Sequence, residues 1–534
     1  MTRMSQSKIV TILFSLLVFS VLVLSVRGLP GNPDIGTLNS DIWVKQGPLE
    51  LSPERGRFAL LYSFIEDNSL IFTLPVAKLA VPDLGMSSTG EYVSLFAPGV
   101  SFIVIPGYLL GKMFGASQVG AYLVISLFAL INIFLIRSIA LRLGAGYFAS
   151  LLAGLTFAFA TPAFAYGVNL YQHHISAFVM LFALSLLIRF RHPAAFALVW
   201  FLCSASVVID NPNLFLMLPI GLYALMKFWK TFQERSSASG SGWLRGIAYV
   251  ATFITLVIPM IFFMWYNQEA YGDPFQLPGT LQGVDEIGPD GRPAEVNTYE
   301  KETGVPEVTD SQKISKEKTA VGFFKTRNLY EGFYTHFLSP DRGVIYFAPV
   351  ILLGILGLWI LYRRNPGITG LLISIIGMNV LTYSLWGDSQ GGWAFGSRYL
   401  IPTYALLGVG IAFGFSRWRW KALFMALFIP LFIYSAWVNT LGAVTTSANP
   451  PEVEILALEK QTGHEQKYTF MRNWEFLHEK HEKIGSKSFV YQVWAKKYLS
   501  APEYFFSVYA LVLFVFGLAF IGMLVENYRN MKRN

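Results

Sequence analysis

Thirteen apolar stretches, none holding an Asp, Glu, Lys or Arg, punctuate this 534-residue chain: 9–26, 96–111, 119–136, 147–171, 172–188, 193–209, 212–226, 246–266, 344–362, 366–386, 399–415, 422–438 and 504–525. An α-helix of about 20 apolar residues crosses a bilayer while satisfying its own backbone hydrogen bonds, and few other structures can. The repeated runs therefore restrict the chain to a bundle of membrane helices. Charged residues make up 14% of the sequence, against roughly 25% in soluble domains.

Basic residues set the expected orientation. They cluster at Arg3/Lys8, Arg137/Arg142, Arg189/Arg191, Lys227/Lys230/Arg235/Arg245, Arg363/Arg364, Arg417/Arg419/Lys421 and Arg529/Lys532/Arg533. These clusters share one side only if one early run does not cross. The 96–111 run, short and broken by Pro98, Gly99, Pro106 and Gly107, suits an interfacial or re-entrant segment. The expected architecture is all-α and integral to the plasma membrane, multi-pass, with about twelve transmembrane helices and both termini cytoplasmic. Three long extracytoplasmic connections follow, at 27–118, 267–343 and 439–503. The 9–26 run lacks a small-x-small cleavage site and reads as a retained anchor.

Several function classes fall away. The net charge of +8 resides at the ends of apolar runs, as topology requires, which leaves no basic face for nucleic acid. The single cysteine, Cys203, sits inside an apolar run, so there is neither a disulfide framework nor a thiolate metal site. His478 and His481 lie at i and i+3 without a third ligand nearby and read as a solvated helix face. The SSASGSG stretch at 236–242 lacks the GK[ST] of a phosphate loop and reads as a linker. No expected span carries a charge in its interior, which argues against an ion-coupled transporter.

Charges gather instead in the first long connection and at helix ends expected on the same outer side: His173, His174, Asp210, Asn211, Asp341, Arg342, Asp388 and Arg398. A carboxylate beside a hydroxyl serves as general base, and arginine holds a phosphate and stabilises its charge as it leaves. Within SPERGRF, Arg55 and Arg57 closely follow Glu54, so base and phosphate clamp can come from one turn. The plainer alternative is that these charges solvate an amphipathic helix lying on the membrane. In GGWAFGSR, Trp393 and Phe395 are placed to stack on a sugar or a prenyl chain with Arg398 on a phosphate, or else to form an interfacial aromatic belt. Asp341 and Arg342 read either as a substrate contact or as a local salt bridge.

The ordered blocks GRFALLYSFIEDNSL, GEYVSLFAPGVSFIVIPGYLLG, RSIALRL, LYQHHISAF, YNQEAYGDPF, FLSPDRGVIYFAPVILLGILGL and GGWAFGSRYLIP resemble the GT-C superfamily of membrane glycosyltransferases. Within it they are similar to the family 39 group, which includes protein O-mannosyltransferases and the lipid A aminoarabinose transferase. The resemblance spans roughly 10–440 and implies a GT-C-like catalytic domain over 1–440, a small extracytoplasmic helical element at 441–503, and a last transmembrane helix with a tail at 504–534. It implies a sugar donor carried on polyprenyl phosphate, inverting transfer to an extracytoplasmic lipid, glycan or protein acceptor, and a first-loop carboxylate as base. No further cofactor is firmly implied, and a divalent metal is left open. Members carry an Asp-Glu pair in the first loop. Alignment on Tyr62-Ser63 puts Pro53-Glu54 there, so the first acid is missing: the base is Glu54 or, from upstream, Asp41, or else the enzyme is altered or inactive. Arg55, Arg57, Tyr62, Arg342, Trp393 and Arg398 are expected around the substrate, and His173 and His174, in a turn where the family often carries an acid, either contact substrate or the base or form a hydrogen-bonded structural pair. A polysaccharide polymerase or ligase acting on lipid-linked oligosaccharide, and a lipid or solute transporter, stand as alternatives.

Overall fold

The computed structural model describes residues 3–236, 242–293, 320–417, 421–478 and 485–532. Most of the SSASGSG stretch, and His481 of the histidine pair, lie outside the described residues. Among the described residues, eight helices are long and apolar enough to cross a membrane, by length and composition: Lys8–Ser25, Ser117–Arg142, Asn213–Glu234, Gly246–Tyr271, Pro366–Ser384, Arg398–Phe415, Ala422–Val444 and Ala501–Arg529. The chain is thus an all-α integral membrane protein. Shorter apolar helices at Tyr147–Phe159, His173–Arg189, Pro193–Ile209 and Pro349–Tyr362 occupy the positions of the other four expected spans.

The 147–171 run is not one continuous helix. Its helix ends at Phe159 after 13 residues, and a four-residue turn, Ala163–Tyr166, follows Pro162. Proline lacks the N–H that an unbroken helix needs there. The 96–111 region folds as two short helices, Gly99–Ile103 and Ile105–Met113. The longer, at 9 residues, reaches only about 14 Å, which is too short to span.

The helix that carries the SPERGRF motif runs Ser52–Glu66, with Pro53 presetting its first turn. It is not a surface helix with one wet face. Glu54, Arg57 and Ser63 are buried along with Phe58, Ala59, Leu60 and Leu61, so the helix is threaded into the protein. A small antiparallel sheet fixes the segments beside it. Strand β1 (Leu84–Met86) pairs with β2 (Tyr92–Ser94) on one edge and β3 (Gln282–Val284) on the other, with Leu84 opposite Ser94 and Val284. This sheet ties the first long connection to the second.

Two close approaches tie elements of the bundle together. The Leu353–Tyr362 and Ile401–Arg417 helices meet backbone to backbone: a Cβ on Gly357 would fall 1.7 Å from the Gly410 carbonyl oxygen. Small residues permit such an approach between apolar helices. At the other side, Gly28 N donates to Lys487 O (3.2 Å) and Phe489 N to Val26 O (2.8 Å), docking the 485–489 segment on the end of the first helix.

Candidate active site

A cavity of roughly 360 Å³ is lined by the Ser52–Glu66 helix, the 95–97 and 171–172 stretches, the end of the Pro193–Ile209 helix and the turn after it, and residues at 277–279, 323–324, 383–386 and 398–399. Its polar lining is Arg57, Gln172, Asp210, Asn211 and Arg398, and its wall is aromatic, with Tyr171, Phe96, Phe215, Tyr383, Trp386 and Tyr399. Tyr383 and Tyr399 stack with centroids 4.3 Å apart.

Arg57 is 3% exposed. It donates from Nη1 to Pro53 O (2.9 Å) and from Nη2 to Gln172 Oε1 (2.7 Å), with its guanidinium 4.5 Å over the Phe96 ring. Gln172 passes the polarity on, its Nε2 donating to Asp210 Oδ2 at 3.2 Å. Arg398, also in the lining and 7% exposed, packs its guanidinium against Tyr171 (5.2 Å) and Tyr399 (5.4 Å). Its Nη2 donates to Gly391 O at 2.8 Å, while Nε and Nη1 are buried without a hydrogen-bond partner.

Among the described residues, neither arginine has a carboxylate within ion-pair distance. A buried cation without an anion costs several kcal/mol. Two such guanidinium groups line one cavity, which Asp210 also lines. Asp210 is the carboxylate in the lining. Burial raises its pKa, while Arg57, the Gln172 hydrogen bond and Arg398 pull it back. A carboxyl so raised is a stronger base when ionised.

Arg57 and Arg398 are the expected site residues that line this cavity. Glu54 lies behind it, fully buried: its Oε2 accepts from Leu51 N at 3.4 Å and its Oε1 has no partner. Burial pushes its carboxyl up to about 8; Arg27 opposes the shift and neighbouring Glu50 adds to it. Asp41 is on the surface, 3.3 Å from Lys45 with both side chains exposed. Arg55 ties backbone together, donating to the carbonyls of Leu79 (3.0 Å), Val81 (2.7 Å) and Glu50 (3.1 Å). Tyr62 is buried on the same helix, outside the lining.

The two histidines separate in role. His174 is locked by Ala163 O (2.7 Å) and by Asn132, whose Nδ2 donates to His174 O at 2.9 Å. His173 stacks on Tyr171 (5.7 Å) and meets Tyr399 edge-on (6.2 Å), one layer behind the lining. Arg342 and Trp393 also stand outside it. Arg342 binds the carbonyls of Ala394 and Gly392, with Asp341 3.6 Å away, and Trp393 donates to Glu454.

Beyond Glu54 lies a buried ionic cluster that the sequence does not suggest. Glu50 accepts from Arg27 Nη1 (2.9 Å), Thr446 Oγ1 (2.7 Å), Ser447 N (2.6 Å) and Lys487 Nζ. Burial opposes its ionisation, but Lys487 and Arg27 hold it down to about 2. Gln172, Tyr171 and Tyr399 are cavity residues that the sequence reading misses as well. The signal for them is local: Gln172 adjoins His173, Tyr399 adjoins Arg398, and Tyr171 lies two positions before His173.

No family model matches the chain, and no curated protein matches it. Among solved structures it is similar to ArnT from Cupriavidus metallidurans in the apo state, at 14% identity and a TM-score of 0.44 over 97% of this chain and 78% of that one. The same protein bound to undecaprenyl phosphate gives 14% identity and a TM-score of 0.43 over 96% and 77%. An Archaeoglobus fulgidus oligosaccharyltransferase in the apo form gives 12% identity and 0.39, over 95% of this chain and 56% of that one.

Proposed function

We propose that this protein is an integral-membrane glycosyltransferase of the GT-C type, taking a sugar from polyprenyl phosphate to a hydroxyl acceptor on the extracytoplasmic side. The observation that carries the reading is the pair of buried guanidinium groups, Arg57 and Arg398, at one aromatic-walled cavity, neither in an ion pair with a carboxylate among the described residues. An anion with an apolar body fits both the charge and the wall. The ordered sequence blocks that resemble family 39 point to the same substrate class.

In this mechanism the donor phosphate lies between Arg57 and Arg398. The acceptor oxygen attacks the anomeric carbon from the face opposite the phosphate while its proton passes to Asp210. The carbon–oxygen bond to phosphate breaks, its electron pair leaves with the polyprenyl phosphate, and the two arginines stabilise the charge that develops there. The product is inverted. The base is assigned to Asp210 because it lines the cavity, whereas Glu54 is walled off and largely protonated at neutral pH. The first connection then contributes the phosphate contact, through Arg57. Residues 1–440 make up the catalytic domain, and the four shorter apolar helices complete a set of twelve crossings with both termini cytoplasmic.

The test compares lipids and glycans, by mass spectrometry, from cells lacking the gene and cells rescued with wild type or Asp210→Asn. The expected result is accumulation of a polyprenyl-phosphate sugar, relieved by wild type and not by a normally abundant Asp210→Asn protein. Full rescue by Asp210→Asn removes Asp210 as base, and an unchanged lipid profile in the deletion removes the proposed reaction.

A further inference from the structure

Arg398 reaches the cavity from a turn, and that turn is gripped from outside the cavity. Residues 391–396 include Gly391, Gly392 and Gly396 at φ of 70°, 60° and 60°, a conformation glycine adopts freely. A free loop of this composition would leave the arginine poorly aimed. Hydrogen bonds with Arg342, Asn449 and Glu454, and one from Phe395 N to the Tyr166 hydroxyl (2.9 Å), remove that freedom. Arg342, 1% exposed, donates from Nη2 to Gly392 O (2.7 Å) and from Nη1 to Ala394 O (3.1 Å). Ala394 N donates to Asn449 O at 2.9 Å. Trp393 Nε1 donates to Glu454 Oε2 at 2.7 Å. Arg398 Nη2 then closes on Gly391 O at 2.8 Å.

The Glu452–Thr462 helix is where this grip originates. It supplies Glu454 to the turn, and its first residue, Glu452, donates its N–H to Asp341 Oδ2 at 3.3 Å. Asp341 in turn lies 3.6 Å from Arg342 Nε. One helix of the 441–503 element thus reaches the turn twice, directly through Trp393 and indirectly through Asp341 and Arg342.

We infer that Arg342 and Glu454 are positioning residues, a clamp that fixes the 391–396 turn so that Arg398 is pre-aimed at the donor phosphate. This rests on the reading of the cavity as a lipid-phosphate site. Ordering a side chain before the ligand arrives lowers the entropic cost of binding it. Releasing the clamp leaves Arg398 in place but mobile, so anion affinity falls while the fold survives.

The test is binding of a fluorescent isoprenyl phosphate to the purified full chain in nanodiscs, with thermal unfolding alongside. Glu454→Leu removes the acceptor for Trp393 and is expected to weaken binding about tenfold, equivalent to about 1.4 kcal/mol, with an unchanged Tm. Glu454→Gln keeps an acceptor oxygen and is expected to bind like wild type, which a merely structural loss of charge would not produce. Trp393→Phe removes the donor and keeps the ring, so it serves as the second variant and is expected to weaken binding to the same extent. If wild type binds, Arg398→Gln does not, and both Glu454→Leu and Trp393→Phe bind like wild type, the clamp is overturned and the site stands. If wild type itself fails to bind, the site reading and the clamp fall together.

Discussion

Glu54→Gln separates a protonated structural acid from a catalytic base. The Glu54 carboxyl, ordinarily near 4.5, is pushed up to about 8 chiefly by burial. Between these values the unfolded chain has released the proton that the folded protein retains, so unfolding releases a proton and stability falls as pH rises. Each pH unit in that window costs about 1.4 kcal/mol. Allowing for partial ionisation near the upper end, wild type is expected to lose about 2 kcal/mol between pH 6 and pH 8 through this group. At the unfolding entropy of a chain this long, that is a fall of about 2 °C in Tm. Glutamine has the size of the protonated acid and does not titrate, so Glu54→Gln should lack this component. The assay is thermal unfolding of both proteins in nanodiscs at pH 6, 7 and 8, with the Tm difference between them plotted against pH so that shared titrations cancel. Transfer activity is measured on the same samples and is expected to persist in Glu54→Gln. A pH-independent difference refutes the protonated carboxyl. Loss of transfer with normal folding and donor binding would make Glu54 the base after all.

Other perturbations test the remaining contacts. Lys487→Met leaves Glu50 with Arg27 as its remaining buried cation partner, and should cost about 3 kcal/mol, read as a lowered Tm. Gly391→Ala places a Cβ 2.8 Å from the Tyr399 ring at a φ of 70°, so it should weaken isoprenyl phosphate binding more than Gly392→Ala, where nothing lies within 4 Å. Equal effects from the two would remove the turn from the site. Asp41→Asn, in an exposed pair worth under about 1 kcal/mol, should leave both Tm and transfer unchanged.

The membrane class is legible in the sequence because uncharged runs of spanning length rarely serve anything but a membrane helix. Every expected span is helical at its core, and the proline- and glycine-broken 96–111 run does fold as two helices too short to cross. The 147–171 run misleads, since hydropathy is blind to the backbone donor that Pro162 removes. Within the site, arginines are easier to find than carboxylates. Arg398 stands out at the edge of an apolar run, Arg57 shares SPERGRF with Glu54 and Arg55, and burial makes both matter. Glu54 and Asp41 look equivalent in sequence, yet one is sealed inside and the other faces solvent. That difference is tertiary. Asp210 is visible as a lone acid closing an apolar helix, but its link to Arg57 runs through Gln172, a residue 115 positions from Arg57. Nothing in the sequence spacing brings them together. The Glu50–Lys487 pair, 437 residues apart, is hidden for the same reason.

The most direct measurement is an experimental structure of the full chain in nanodiscs with an isoprenyl phosphate bound. The expected result is phosphate density between Arg57 and Arg398, within hydrogen-bond reach of the Arg398 Nη1 that now lacks a partner, with the chain leaving along the Phe96 and Phe215 wall. Phosphate density elsewhere, with the cavity between the two arginines holding no anion, would contradict the assignment of this cavity as the donor site.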